Sequence, residues 1–336
     1  AIIHMAGSSM LWSAVGLCVV TAFLSMWISN TATAAMILPL ALGLLSSVDK
    51  NDRGTRVFVL LAVAYSSSIG GMGMLQGSPP NGIAAKELGM GFTEWMRLGL
   101  PITFILMPAM FVTLWIVCKP NFKQKIRQDN EEDIPWTGIR VLTLVVFALT
   151  ALAWICGDQL KAMGINAPDT FVALCAIIAV VVLGLASWKD VTDNTDWGVL
   201  LLFGGGITLS SVLGASKEIG QMIASAFGSS SPFVIILVVA TFIIFLTEFT
   251  SNTASAALLV PVFASVAAQT GMREDVLVMV IGIGASCAFM LPVATPPNAL
   301  VFGTGEVKQR DMFRAGLVLN LVSIAVVTLF AYYVIL

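Results

Sequence analysis

Hydrophobic residues form long runs along this chain, and short polar segments separate them. The first two runs cover 11–28 and 32–45, with little more than the tripeptide Ser29-Asn30-Thr31 between them. Two full membrane spans of about 20 residues each would barely fit there. The pattern therefore predicts a re-entrant helical hairpin with the tripeptide at its tip, because irregular backbone inside a membrane is tolerated where it lines a polar site.

The next hydrophobic run, 57–74, leads into the motif Gly77-Ser78-Pro79-Pro80-Asn81. Proline removes a backbone donor and disfavours the helical conformation in the residue before it. We therefore expect a helix that is broken within the membrane. A further span is predicted at 98–117, and a polar linker follows it.

The second half of the chain repeats this order. The tripeptide returns 222 positions later as Ser251-Asn252-Thr253, at the tip of a predicted hairpin over 232–269. The motif Ala294-Thr295-Pro296-Pro297-Asn298 then interrupts a predicted broken helix over 276–303. Two motifs that recur in one order indicate an internal duplication. Between the linker and the second hairpin we expect spans at 139–155, 170–187 and 197–213, with loops at 188–196 and at 217–218.

The few charges indicate how the chain is oriented. The linker carries Lys119, Lys123, Lys125 and Arg127, so the positive-inside rule places it in the cytoplasm. Counting spans from the linker opens the first hairpin to the cytoplasm and the second to the outer side. Hairpins that enter from opposite faces form an inverted-topology repeat, which places a transported substrate and its coupling ions near the bilayer midplane. The same symmetry predicts about three further spans before Ala1.

Composition supports an all-α integral membrane protein and argues against catalysis. Hydrophobic residues make up 58% of the chain and charged residues 11%, and the mean hydropathy is +0.94. The net charge of −2 gives no indication of nucleic-acid binding. Five scattered cysteines and one histidine offer no metal, disulfide or triad spacing. We therefore predict neither an enzyme nor a cofactor.

The two tripeptides suit a site for anions and cations together. A helix that ends at a break presents carbonyl groups to a cation, and the helix that follows presents free N–H groups and hydroxyls to a carboxylate. The duplicated site thus offers two places for carboxylates and two for cations. Neither motif contains Lys or Arg. Bound sodium would balance the charge of the anion and couple the two binding events.

Two alternatives stay open on these residues. A Ser-Asn-Thr segment in a membrane helix can also serve as hydrogen-bonding contact between helices. Glu248, four residues before Asn252, is an ionisable group near the second tip, and its counterpart in the first repeat is Met26. It could bind a ligand, titrate, or make a buried structural hydrogen bond.

With both motifs in place, the chain resembles the divalent anion/sodium symporter family, and within it the bacterial sodium-coupled transporters of C4-dicarboxylates such as succinate. The resemblance covers essentially the whole chain and is carried by the two Ser-Asn-Thr tips and the two Pro-Pro-Asn breaks. It implies that the substrate is bound by Ser29, Asn30, Thr31, Ser78, Ser251, Asn252, Thr253, Thr295 and Pro296. It also implies one sodium site at Ser25, Asn30 and Gly77 and a second at Thr247, Asn252 and Ala294.

The resemblance further implies a homodimer in the cell inner (plasma) membrane that works by an elevator mechanism. Residues 1–118 and 214–336 would contribute the transport domain, 119–137 the cytoplasmic linker and 138–213 the scaffold. Its partners would be a small dicarboxylate, Na⁺ and the lipid membrane. Citrate or sulfate as substrate, and protons as coupling ions, remain alternatives within transport. An anion channel is the alternative from another class.

Overall fold

The computed structural model describes residues 9–124, 136–195 and 217–336, with a few single positions between 197 and 208. Most of the span predicted at 197–213 and the middle of the linker therefore lie outside the described residues. The regular elements of the described residues are helices. In chain order they are α1 Met10–Trp27, α2 Asn30–Ser46, α3 Arg53–Gly71, α4 Pro79–Leu88, α5 Phe92–Cys118, α6 Gly138–Ile155, α7 Gly157–Ala162, α8 Pro168–Val182, α9 Trp188–Asn194, α10 Lys217–Phe227, α11 Pro232–Leu246, α12 Asn252–Thr270, α13 Glu274–Gly284, α14 Pro296–Gly303 and α15 Gln309–Phe330, which continues as a π-helical turn, Ala331–Ile335.

The hairpins and the broken helices form where the sequence predicts them. Helices α1 and α2 meet at the first tripeptide, and α11 and α12 meet at the second. The break in the first half lies between α3 and α4, and the break in the second half lies between α13 and α14. Both α4 and α14 begin with two prolines, because the fixed φ of proline suits the first helical turn, where its missing N–H would have no partner in the helix.

Three boundaries correct the sequence analysis. The segment predicted as a loop at 188–196 contains α9, because Ser187 and Asp190 form a capping box at its start. The loop predicted at 217–218 belongs to α10, since Lys and Glu are good helix formers. The span predicted to reach residue 187 stops at Val182, just before Gly184, which adopts a left-handed conformation with φ of 67°.

Five helices of the described residues are long and apolar enough to cross a membrane. Three further apolar helices, α2, α8 and α11, are shorter; α2 and α11 each form one arm of a hairpin whose other arm, α1 or α12, is among the five long helices. The chain is therefore a multi-pass membrane protein. The five long segments are Met10–Trp27, Phe92–Cys118, Gly138–Ile155, Asn252–Thr270 and Gln309–Ile335.

The two repeats share one hydrophobic core. Helix α1 packs on α3, and α12 packs on α13, within their own repeats. The short helices that follow the breaks cross over: α4 packs on α12 and α13, and α14 packs on α2 and α3. Nearly all buried apolar side chains of both repeats belong to one continuous cluster. The repeats therefore fold as a single body.

Helices α6 to α9 lie outside this body. No residue of α6 is buried, and Val172 is the one buried residue of α8. They reach the core at two ring contacts: Phe92, at the start of α5, stacks on Trp154 with ring centroids 5.8 Å apart, and Trp27, at the end of α1, contacts Phe147 at 5.2 Å. The backbone N–H of Phe92 also donates to Asp169 Oδ2 at 3.1 Å. The described attachment between the two parts is thus small.

Two loops predicted to be cytoplasmic meet at one end of the core. The Arg56 guanidinium donates to both oxygens of Glu306, at 2.9 and 2.6 Å, and Arg53 pairs with Asp311. The hydrogen bond from Arg56 lowers the pKa of the Glu306 carboxyl below its usual range, and the positive charges of Arg56 and Lys50 act in the same direction. The contact agrees with the prediction that both loops lie on one side of the membrane.

Candidate functional site

Both Ser-Asn-Thr tips form helix N-termini. Ser29 caps α2 by accepting a hydrogen bond from the N–H of Ala32 at 3.2 Å, and Ser251 caps α12 by accepting from Ala254 at 3.4 Å. Ser29 and Ser251 are exposed, and so is Thr31. Asn252 and Thr253 are half-buried. The tips therefore present capped helix starts and hydroxyls at an accessible surface.

Oxygen atoms converge behind the first tip. The Ser25 hydroxyl donates to Asn30 Oδ1 at 2.7 Å and also lies 2.6 Å from the Ser67 carbonyl oxygen. The same end of the Asn30 amide lies 3.0 Å from the Ser67 oxygen and 3.2 Å from the Gly77 carbonyl oxygen. Ser25 and Gly77 are buried. We call these four residues the first oxygen cluster.

The first oxygen cluster contains more acceptors than protons. One hydroxyl proton serves two oxygens, and an inward amide oxygen faces the Ser67 and Gly77 carbonyl oxygens. A cation among the oxygens satisfies them, and so does a rotation of the amide that turns its nitrogen inward. Ser67 was missed by the sequence analysis. It contributes its backbone carbonyl, so its residue type gives no signal in the sequence.

A second oxygen cluster lies behind the second tip. The Thr247 hydroxyl contacts Asn252 Oδ1 at 2.6 Å and the Ala285 carbonyl oxygen at 2.9 Å. Thr247 and Asn252 were expected together, whereas Ala285 was not. The described contacts do not join Ala294 to this cluster. Ala294 is buried, and its N–H donates to Leu291 O at 3.2 Å.

The asparagines of the two Pro-Pro-Asn motifs hold the breaks in shape. Asn81 Nδ2 donates to the carbonyl oxygens of Gly71 and Met74, both at 2.7 Å. Asn298 Nδ2 donates to the equivalent carbonyl oxygens, those of Ala288 at 3.1 Å and Leu291 at 3.0 Å. Each side chain ties the start of the second half-helix to the end of the first. The sequence analysis quoted both motifs but gave these asparagines no role.

The breaks of the two repeats touch each other near the second oxygen cluster. The Ser78 and Ser286 hydroxyls lie 3.3 Å apart, and Ser286 directly follows Ala285. Thr295 Oγ1 caps α14 by accepting from the N–H of Asn298 at 3.3 Å. Ser78 and Thr295 are buried and Pro296 is exposed. Ser78 thus lies next to the second oxygen cluster, whereas Thr295 and Pro296 stand at the start of α14.

Glu248 is a structural acceptor. Its side chain is fully buried, and its two carboxylate oxygens accept hydrogen bonds from three successive backbone N–H groups and from one side-chain amide. The donors are Phe289 N at 2.7 Å, Met290 N at 2.8 Å, Leu291 N at 3.0 Å and Asn320 Nδ2 at 2.7 Å. Of the three roles left open by the sequence, the geometry favours the buried structural hydrogen bond.

The first repeat has no carboxylate at this position, and the N–H groups of Met72 and Gly73 donate to the carbonyl oxygens of Ile69 at 3.1 Å and Gly70 at 3.0 Å instead. Met26, the counterpart of Glu248, packs beside Gly73. The carbonyl of Met72 accepts from the Trp95 indole at 3.1 Å, and the equivalent carbonyl of Phe289 accepts from the Tyr65 hydroxyl at 2.7 Å. The duplicated backbone is therefore supported by different side chains in each copy.

Comparison with known proteins places the chain in a family. The family model described as the sodium:sulfate symporter transmembrane region matches residues 1–336. The chain belongs to the sodium:sulfate symporter family. An uncharacterized transporter of Haemophilus influenzae is 51% identical over 98% of this chain and 74% of its own length. The sodium-dependent dicarboxylate transporter SdcS of Staphylococcus saprophyticus is 31% identical over 99% of this chain and 71% of its own length.

An uncharacterized transporter of Methanocaldococcus jannaschii is 38% identical over 92% of the chain and 71% of that relative. These relatives agree with the sequence analysis on the family and on its class: the chain is a transporter and not an enzyme.

Proposed function

We propose that this protein takes up C4-dicarboxylates such as succinate together with sodium ions. The observation that carries the proposal is the first oxygen cluster. Asn30, Ser25, Ser67 and Gly77 bring oxygen atoms together at a helix break, as coupling-ion sites in transporters with broken helices do. The second oxygen cluster, at Thr247 and Asn252, supports a second sodium site.

The anion side of the site supports a substrate with a carboxylate at each end. Helices α2 and α12 begin at the two tips, where backbone N–H groups and accessible hydroxyls would stabilise an anion. Substrate contacts are proposed for Ser29, Thr31, Ser251 and Thr253 at these tips. Ser78, Thr295 and Pro296 would add contacts from the breaks.

Charge balance then makes sodium necessary for the anion. No Lys or Arg occurs in either tip or in either Pro-Pro-Asn motif. A dianion held there would have no fixed cation beside it, so sodium in the oxygen clusters would supply the compensating charge. Asn30 and Asn252 each face a cation on one side and the substrate on the other, which would link the two binding events.

The packing supports an elevator mechanism. Both repeats share one core that would move as the transport domain, while α6 to α9 would form the scaffold. The small described contact, made by the ring pairs Phe92–Trp154 and Trp27–Phe147, would be remade in another position at modest cost. The exposed apolar faces of α6 and α8 would contact lipid and a second subunit in a homodimer. By the same proposal the repeats are inverted and the protein lies in the cell inner membrane.

Uptake by the full protein in liposomes tests the proposal. Labelled succinate is supplied under a sodium, a potassium or a proton gradient, each imposed alone. Saturable uptake should follow the sodium gradient and be abolished in Asn30→Ala. Ser46→Ala, at the far end of the same helix, should transport normally. Uptake driven by protons, preference for sulfate or citrate, or non-saturable flux would replace the proposal with the corresponding alternative.

A further inference from the structure

The Asn30 side chain ends in a carboxamide, which has an oxygen that accepts hydrogen bonds and an NH₂ group that donates them. Only one of the two can face the first oxygen cluster, and the surroundings favour them differently. The inward end of the amide lies 2.7 Å from Ser25 Oγ, 3.0 Å from the Ser67 carbonyl oxygen and 3.2 Å from the Gly77 carbonyl oxygen. An inward oxygen at these distances faces two carbonyl oxygens, so it needs a cation between them. An inward nitrogen donates its protons to the same oxygens and needs none. The preferred orientation therefore depends on whether a cation is present.

The outward end of the amide lies at the tip. Asn30 is half-buried, and its neighbours Ser29 and Thr31 are exposed. Among the described residues, the outward end has no hydrogen-bond partner. A rotation of 180° about the last side-chain bond exchanges the two ends without moving the backbone. The group presented to the accessible side is then an N–H donor when the oxygen faces inward, and a bare oxygen when it faces outward.

We propose that the Asn30 amide is a sodium-operated switch for the carboxylate site, an inference that rests on the proposed function. With sodium bound, the amide oxygen faces the ion and the N–H groups face the substrate. Without sodium, the nitrogen turns inward to the Ser67 and Gly77 carbonyls, and the outward oxygen repels a carboxylate. A hydrogen bond to a charged group changes an equilibrium constant by roughly tenfold to hundredfold. The switch therefore contributes a factor of this size to the coupling between sodium and succinate.

The second oxygen cluster lacks the pair of carbonyl oxygens that faces the amide in the first. Asn252 Oδ1 contacts the Thr247 hydroxyl, which donates to it, and the described contacts place no carbonyl oxygen against that amide. The Thr247 hydroxyl proton is shared with the Ala285 carbonyl oxygen at 2.9 Å, as the Ser25 proton is shared with Ser67, so the difference lies in the carbonyl oxygens that face the Asn30 amide. The switch is thus assigned to the first repeat alone, although the tripeptides are identical.

Solid-state NMR on the full protein in lipid tests the switch directly. Asparagine side chains carry ¹⁵N at Nδ2 and glycines carry ¹³C at the carbonyl, and dipolar recoupling reports which pairs are close. The Asn81 to Gly71 contact serves as an internal control, because that amide donates to the Gly71 carbonyl at 2.7 Å in a buried site. A second contact, from Asn30 to Gly77, should appear in choline chloride and disappear in saturating sodium chloride.

Asn30→Ala assigns the second contact by removing it, and the wild-type spectra carry the test even if that variant fails to fold. Sodium binding is measured on the same sample as a rise in melting temperature. If sodium binds and the Asn30 to Gly77 contact is the same in both salts, the switch is wrong while the proposed function stands. If sodium does not bind at all, the proposed function falls and the switch falls with it.

Discussion

Removal of the Glu248 carboxylate should unfold the second repeat around its break. In Glu248→Ala, four donors, three of them buried and one partly buried, lose their acceptor at once: the N–H groups of three successive residues, 289 to 291, and the amide of Asn320. Water cannot replace the carboxylate easily, because Glu248 is fully buried. The loss therefore falls on the loop that shapes the second half of the site.

The size of the effect follows from the number of donors. Each buried donor left without a partner costs about 1–3 kcal/mol. Four such donors sum to several kcal/mol even after allowing for relaxation and non-additivity. Glu248→Gln should be milder, at about 2–4 kcal/mol, because its amide oxygen can keep the three bonds now made by Oε1 while its NH₂ group opposes the N–H of Leu291. The expected order of stability is wild type, then Gln, then Ala.

Thermal unfolding in detergent measures this order, with and without sodium. Met26→Leu is the matched control, because it changes the equivalent position of the first repeat, which accepts no hydrogen bonds, and its melting temperature should stay close to that of wild type. Sodium should still raise the melting temperature of Glu248→Gln, since the carboxylate supports the break and does not bind the ion. The reasoning is refuted if Glu248→Ala melts like wild type, or if Glu248→Gln keeps its stability and loses only its response to sodium.

Three further predictions concern other parts of the core. Asn81→Ala should reduce transport at least tenfold and lower the melting temperature, since two carbonyls at the first break lose their donor; uptake and unfolding assays on one preparation check both. Because Arg56 lowers the pKa of Glu306, the pair should stabilise the protein above the ordinary carboxyl pKa and lose that contribution as pH falls through the lowered value. Glu306→Gln should remove the contribution, which is less than about 1 kcal/mol, so its unfolding free energy should fall less steeply on the acid side when unfolding is measured across pH. Gly70→Ala should destabilise strongly, because its added Cβ would overlap the backbone of α1, whereas Gly43→Ala, with open space around it, should not.

Sequence alone predicted the breaks well because each break is determined by a short motif of neighbouring residues. Proline pairs fix where α4 and α14 begin, and serine before asparagine fixes where α2 and α12 begin. The duplication supplied the rest, since a second copy made each motif unlikely to be accidental. The family and its class of function were predicted from the same motifs.

Contacts between distant elements could not be predicted in this way. Ser67 joins the first oxygen cluster through a backbone carbonyl, which any residue type would provide. The partners of Glu248 are backbone N–H groups about 40 residues away, and the repeat gave no guide because Met26 takes its place in the other copy. The short helices cross to the opposite repeat, a feature that depends on packing of the whole core.

Reciprocal binding is the most direct test of sodium-coupled anion transport by this site. The affinity for succinate is measured at several sodium concentrations, and the affinity for sodium at several succinate concentrations, on the same purified protein. Because neither tip contains Lys or Arg, each ligand should tighten the other, and by the same factor. A succinate affinity that is equal with and without sodium would contradict the account.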